Sequence, residues 1–437
     1  MSLQGYLHKL HFFSKSPLKQ DVLWTFASQI LIMVCAFIIT KLVSNAFTVE
    51  EFGLFNVVKR SASVLSFVML AGMGITLPRY LPIYKSCRHY NSVIDLLWIS
   101  ILFVLLVSVI IFGIGLYYHD LGMEMTNLED KGLFFLMFLY AFSITISSLL
   151  FAYYRGLNDF RKYSISQVFL QIVLILSVLF VYGKSVASLF LFWSILGLLL
   201  PLGYVLYEIR KSRFVILHCF SFQRIRRRAK DVVGYSLPRL VGDFFLFSFS
   251  AFPVVYLSGV RSMSDVAYFS VGLTILNMAT PVFSFLGVVL LPYVSGAIAK
   301  GTFVEADRFI KKMFLLYLVL STIICLLFGL FMPFIIKLFF SAEYLQAQEM
   351  SKYMMFAVIP QSLYLLYRNP IDAISVMPYN TFILLISFAL LIIFFYTSTS
   401  LTDYTISFVL ASAVQGGLSW IAWIWLRNRI TLTSKVK

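Results

Sequence analysis

Polar and charged residues in this chain gather in short clusters, and long apolar stretches run between them. Apolar runs fall near 22–46, 54–79, 92–118, 132–154, 164–182, 186–208, 232–258, 266–298, 311–337, 350–367, 376–397 and 404–426. A helix needs about 20 predominantly apolar residues to cross the hydrocarbon of a bilayer. The pattern therefore predicts an all-α, polytopic integral membrane protein with about twelve transmembrane helices. The run at 266–298 is long enough to tilt or bend, and Pro281 and Pro292 offer places for it. Pro201, Pro253, Pro333 and Pro360 also fall in predicted helices. Membrane helices tolerate such breaks where neighbouring helices re-satisfy the freed backbone groups.

Composition agrees. Of 437 residues, 60% are hydrophobic and only 12% charged, with a mean hydropathy of +0.90. Soluble domains hold roughly 45–50% apolar and about 25% charged residues, so a water-soluble core cannot absorb this surplus. The formal net charge of +16 would suggest nucleic acid as a partner for a soluble protein. Here the charges sit in short loops, so membrane topology explains them and no nucleic-acid partner is expected. Cys35 and Cys325 lie in apolar runs, Cys87 and Cys219 in basic loops, with neither metal-ligand spacing nor a disulfide framework.

The loops set an orientation. Alternate loops, counted with both termini, carry 26 of the 35 Lys and Arg, whereas the opposite set holds only Lys131, Lys184 and Arg261. The opposite set is also acidic, with Glu50, Glu51, Asp120, Glu124, Glu129, Asp130, Glu343 and Asp403. The positive-inside rule places the basic set and both termini in the cytoplasm. An even number of crossings, which puts both termini on one side, agrees. Residues 1–20 are polar and basic without a small-residue cleavage site, so the first apolar run is expected to stay as an anchor.

The most basic loop, 210–230, carries eight Lys and Arg and lies at the midpoint of the chain. It reads as a topological anchor between two halves, or as a contact for anionic lipid headgroups. A weak internal repeat supports two halves. Residues Glu50 to Val57 recur loosely as Ser264 to Val271, Leu77-Pro78 as Leu291-Pro292, and Tyr154 to Asp159 as Tyr367 to Asp372. The expected organisation is an N-terminal six-helix bundle (1–209), a basic cytoplasmic linker (210–231) and a C-terminal six-helix bundle (232–437). Six helices per half give the halves one orientation, a parallel repeat of the kind transporters use.

Enzymatic motifs are missing from the sequence: there is no G-x-x-x-x-G-K-[ST], no H-E-x-x-H and no G-x-S-x-G. No external loop is long enough to fold as a catalytic domain. The expectation is a secondary transporter without a cofactor. What remains is charge within the predicted helices, which costs about 2.5–3.5 kcal/mol per residue at the bilayer centre. Lys41, Lys59, Arg60 and Arg239 form a candidate cationic cavity for an anionic passenger, while snorkelling to the interface explains the first three equally simply. Asp243 is the one acidic residue placed well inside a predicted helix. It lies four residues from Arg239, positioned for an ion pair or for proton or sodium coupling. Arg79, the Arg155/Asp159 pair and the Arg368/Asp372 pair stand at cytoplasmic helix ends, where they serve a gate or simply cap and pair.

Several short motifs resemble a known family. Lys41-Leu42-Val43, Glu50 to Phe55, Gly72-x-Gly74 followed by Arg79-Tyr80, and Arg155-Gly156 with Arg161 and Tyr163 look like the signature of bacterial polysaccharide flippases. These belong to the multidrug/oligosaccharidyl-lipid/polysaccharide (MOP) exporter superfamily. The resemblance implies an inner-membrane translocase for undecaprenyl-diphosphate-linked repeat units that supply O-antigen, capsule or exopolysaccharide. It further implies alternating access between two bundles, and a polysaccharide polymerase and glycosyltransferases as partners. The cationic bias suits a diphosphate cargo. Two other functions stay open at this point: a cation-coupled multidrug exporter of the same superfamily, and a membrane-embedded glycan polymerase or ligase.

Overall fold

The structure, a computed structural model, describes residues 17–86, 90–128, 130–211, 222–299, 303–375 and 377–435. Its helices are α1 (Pro17–Ala46), α2 (Val49–Leu70), α3 (Met73–Ser86), α4 (Tyr90–Tyr117), α5 (His119–Thr126), α6 (Lys131–Gly156), α7 (Phe160–Val181) and α8 (Val186–Lys211). They continue as α9 (Phe222–Val260), α10 (Met263–Ala299), α11 (Phe303–Leu330), α12 (Met332–Phe339), α13 (Gln348–Met355), α14 (Val358–Ile374), α15 (Tyr379–Thr397) and α16 (Leu401–Lys435). A 3₁₀ turn, Ala342–Ala347, joins α12 to α13. No strand occurs among the described residues. Eleven of these helices are long and apolar enough to cross a membrane. The apolar run at 350–367 instead spans α13, a two-residue break and α14, whose 17 residues rise only about 26 Å.

Contacts divide the chain into two compact units. The first holds residues up to 46, 65–120 and 130–240; the second holds 47–64, 121–129 and 241–437. In the first, α1 packs along α7, α6 along α8, and α3 between α4 and α6. Its core gathers Leu70, Met73, Leu77, Leu81, Leu96 and Ile99. In the second, α14 packs against α10, α11 and α16. Rings close this unit: Phe252, Tyr256, Phe395 and Tyr404 touch one another with centroids 5.2–6.1 Å apart. Large apolar side chains such as Leu106, Val109, Phe180, Leu326 and Leu330 stay more than half exposed. That is costly in water and appropriate in lipid.

Helix starts carry the internal repeat more clearly than residue identity does. At α2 a capping box forms: the Thr48 amide donates to Glu51 Oε2 at 3.0 Å, and the Glu51 amide donates to Thr48 Oγ1 at 3.3 Å. At α10, 214 residues on, the Asp265 amide donates to Ser262 Oγ at 3.2 Å. Ser185 caps α8 through the Ser188 amide at 3.3 Å, and Ser400 caps α16 through the Asp403 amide at 3.1 Å. Glu51 of the Glu50-Glu51 motif thus has a local task, which is to end a loop and start a helix.

The run at 54–79 does not form one helix. It breaks between α2 and α3 at Ala71 and Gly72, both with positive φ (51° and 76°). A side chain at Gly72 would also meet the backbone carbonyl of Ser236 on α9. Gly72 therefore permits both a left-handed turn and a close approach of two backbones.

Candidate functional site

The cations expected in the membrane-spanning segments divide into those the structure describes and those it does not. Lys59 and Arg60 are consecutive on α2, so their side chains leave the helix about 100° apart. Both are half-buried. The Lys59 ammonium folds back one turn and lies 5.4 Å from the centre of the Phe55 ring. Arg60 donates from Nη1 to the backbone carbonyl of Ser250 on α9 at 3.3 Å. Its Nε is buried and has no hydrogen-bond partner. Among the described residues neither cation forms an ion pair with a carboxylate. A buried donor without a partner is uncommon in native proteins, and donors on cations make their strongest hydrogen bonds with anionic acceptors.

Lys41 is half-buried on α1, where its carbonyl accepts a bond from Ser44 Oγ at 3.0 Å. Arg239 and Asp243 lie on α9, and their side chains fall outside the described residues. Arg79 is exposed on α3, with its guanidinium 5.8 Å from the Tyr80 ring.

Arg155 links two of the sequence motifs. Its Nη2 donates to the Gly74 carbonyl at 3.0 Å, and the guanidinium stands 5.7 Å from the Tyr163 ring. Gly72-x-Gly74, Arg155-Gly156 and Tyr163 thus converge within the first unit. Asp159 does not take up Arg155. It caps α7, accepting from the Lys162 amide at 3.0 Å, and pairs with the Lys162 ammonium at 3.5 Å. In the second unit Asn380 Nδ2 donates to the Arg368 carbonyl at 2.9 Å and to Asp372 Oδ1 at 2.7 Å. The aspartates of both pairs have hydrogen-bonding tasks at helix ends.

Sequence reading missed two acidic centres. Asp95, near the start of α4, is completely buried and meets Arg228 Nη1 at 3.1 Å. Asp95 stands near a helix start, so it adds a buried acid without displacing Asp243 as the acidic residue expected well inside a predicted helix. Arg228 lies on α9, in the basic stretch expected as a linker, and its guanidinium also lies 5.8 Å from the Tyr84 ring. The counterpart in the second unit is Asp307 on α11, which pairs with Lys311 at 2.9 Å and Arg427 at 3.6 Å. Asp95 and Asp307 stand 212 residues apart, close to the spacing of the other repeat matches. That spacing was the signal available in the sequence.

Comparison with known proteins gives the following. An uncharacterized membrane protein of Methanocaldococcus jannaschii is 22% identical over 351 residues, which cover 76% of this chain and 69% of that protein. A multidrug resistance MATE family transporter of the MOP superfamily, solved in an inward-facing conformation, superposes with a TM-score of 0.75 at 16% identity, over 92% of this chain and 95% of that one. A MOP superfamily transporter from Pyrococcus furiosus, described as having a binding pocket of reverse polarity, gives a TM-score of 0.59 at 14% identity, over 96% and 97% of the two chains. The family model for polysaccharide biosynthesis proteins matches residues 18–297, well over half of the chain. The chain belongs to the polysaccharide biosynthesis protein family, and its fold is that of the MOP superfamily transporters.

Proposed function

We propose that this protein is a flippase that carries undecaprenyl-diphosphate-linked oligosaccharide repeat units from the cytoplasmic to the outer face of a bacterial inner membrane by alternating access. Its products would feed O-antigen, capsule or exopolysaccharide assembly, beside a polymerase and glycosyltransferases. Both termini would face the cytoplasm, as the distribution of Lys and Arg requires. The observation that carries the reading is the Lys59–Arg60 pair, cationic, half-buried in a spanning helix and, among the described residues, lacking a carboxylate partner. Such a pair stabilises a diphosphate and repels a cationic passenger, which sets it against the multidrug-exporter reading. Lys41 and Arg239 would extend the cationic set, and Asp243 would serve ion coupling or an ion pair. Arg79, Arg155, Asp159, Arg368 and Asp372 would frame the cytoplasmic side.

The test is deletion of the gene in a strain with no second flippase. Lipid-linked repeat units should accumulate on the cytoplasmic face, surface polymer should disappear, and a plasmid copy should restore it. Normal surface glycan in that strain, or dye sensitivity without a glycan defect, would overturn the proposal.

A further inference from the structure

Within the first unit an apolar cavity of about 220 Å³ opens between α6, α7 and α8. Its walls include Ser147 and Phe151 of α6, Ser166 and Leu170 of α7, and Pro201 and Tyr204 of α8. An apolar cavity of roughly 150 Å³ already accepts a benzene molecule, so this one has room for part of a hydrocarbon chain. All three helices are long and apolar enough to span a membrane. Phe169 of the lining is about half exposed, as are Ile165, Leu199 and Leu202, chain neighbours of other lining residues, so the cavity lies next to side chains suited to lipid.

Among the described residues no charged side chain lines the cavity, but two cations stand one helical turn beyond its lining. Arg155 lies one turn beyond Phe151 on the same face of α6, since positions 147, 151 and 155 fall four apart. Lys162 lies one turn before Ser166 on the same face of α7 by the same spacing. Arg155 has spent one terminal nitrogen on the Gly74 carbonyl, but its buried Nε has no hydrogen-bond partner. Lys162 is about half exposed and pairs with Asp159 at 3.5 Å. Arg161 is exposed beside it, with its guanidinium 5.9 Å from the Trp24 ring. An apolar slot with two cations one helical turn beyond its lining matches an amphiphile with an anionic head. We infer that this cavity is a binding site for an anionic phospholipid, with one acyl chain between α6, α7 and α8 and its phosphate at Arg155 and Lys162. Bilayer phospholipid is the occupant because the slot lies next to side chains suited to lipid, where such chains are always present. The inference does not depend on the cargo proposed above.

The test is native mass spectrometry of the purified full chain with phosphatidylglycerol or phosphatidylcholine. Wild type should retain phosphatidylglycerol about tenfold better. Leu170→Trp, which fills the slot, and Lys162→Gln should each remove most of that preference, while Leu170→Ala should keep it. A phosphatidylglycerol carrying a diazirine on its acyl chain should crosslink to peptides containing residues 147–151 or 166–170, a readout independent of whether the tryptophan variant folds. Equal retention of the two lipids, crosslinks elsewhere, or capture of undecaprenyl phosphate in place of phosphatidylglycerol would overturn the inference.

Discussion

Arg228 Nη1 lies 3.1 Å from Asp95 Oδ2, and the Asp95 side chain has no exposed surface. The first turns of α9 are thereby held against the start of α4. Removing one partner of a buried pair costs about 3–5 kcal/mol where the remaining charge has no other compensation. Arg228 is 36% exposed, so water reaches it and the loss should fall towards the low end. Arg228→Gln and Asp95→Asn should each lower the melting temperature in a fixed detergent. The double variant should lose less than the two losses together, by about 1 kcal/mol or more. Strict additivity would show that the pair contributes no coupling.

That pair also shows where sequence reading stops. Hydrophobic run length located all eleven described helices long enough to span and added a twelfth at 350–367, which the structure divides between α13 and α14. In lipid the length and polarity of a segment decide its state almost alone. It could not place the break at Ala71 and Gly72, since a two-residue change of φ leaves hydropathy unaltered. Nor could it join Asp95 to Arg228, 133 positions away. The motif residues were legible as motifs, but not their tasks: Glu51 caps a helix and Arg155 ties down the Gly74 carbonyl. Lys59 and Arg60 were legible as charges out of place, whereas the unpartnered Nε required coordinates.

Pro201 makes Ser147 necessary. A proline has no amide hydrogen, so the carbonyl four residues earlier, that of Gly197, loses its helical partner. Ser147 Oγ supplies the missing donor at 3.1 Å. Ser147→Ala should cost about 1–2 kcal/mol, the penalty for a buried unsatisfied carbonyl. In a Pro201→Ala background the same substitution should cost much less, because the helix then satisfies its own carbonyl. Melting temperatures of the four proteins test this, and an equal loss in both backgrounds would disprove it.

Gly72 and Gly183 share a left-handed backbone, with φ of 76° and 77°. Their surroundings differ: a side chain at Gly72 meets the Ser236 backbone, while one at Gly183 meets nothing within 4 Å. Gly183→Ala should therefore cost only the conformational strain, about 1–2 kcal/mol. Gly72→Ala should cost more, because α9 must also move away, and should reduce folded yield. Comparing melting temperature and monodisperse yield for the two variants separates strain from crowding.

Arg60 gives the most direct test of a cationic route through the membrane. If its guanidinium meets an anionic headgroup during transport, Arg60→Gln removes a charge-assisted hydrogen bond worth about 1.5–3 kcal/mol. At roughly 1.4 kcal/mol per factor of ten, export should fall about 10- to 100-fold. Arg60→Lys keeps the charge but loses the planar fork, so it should recover part of the activity. Lys59→Gln should reduce export less, because its ammonium already rests against the Phe55 ring. The measurement is surface polymer per unit of membrane protein, in a strain complemented by each variant at matched expression. Snorkelling predicts a different result, with all three variants exporting normally, since charges that merely reach the interface are not needed by the cargo.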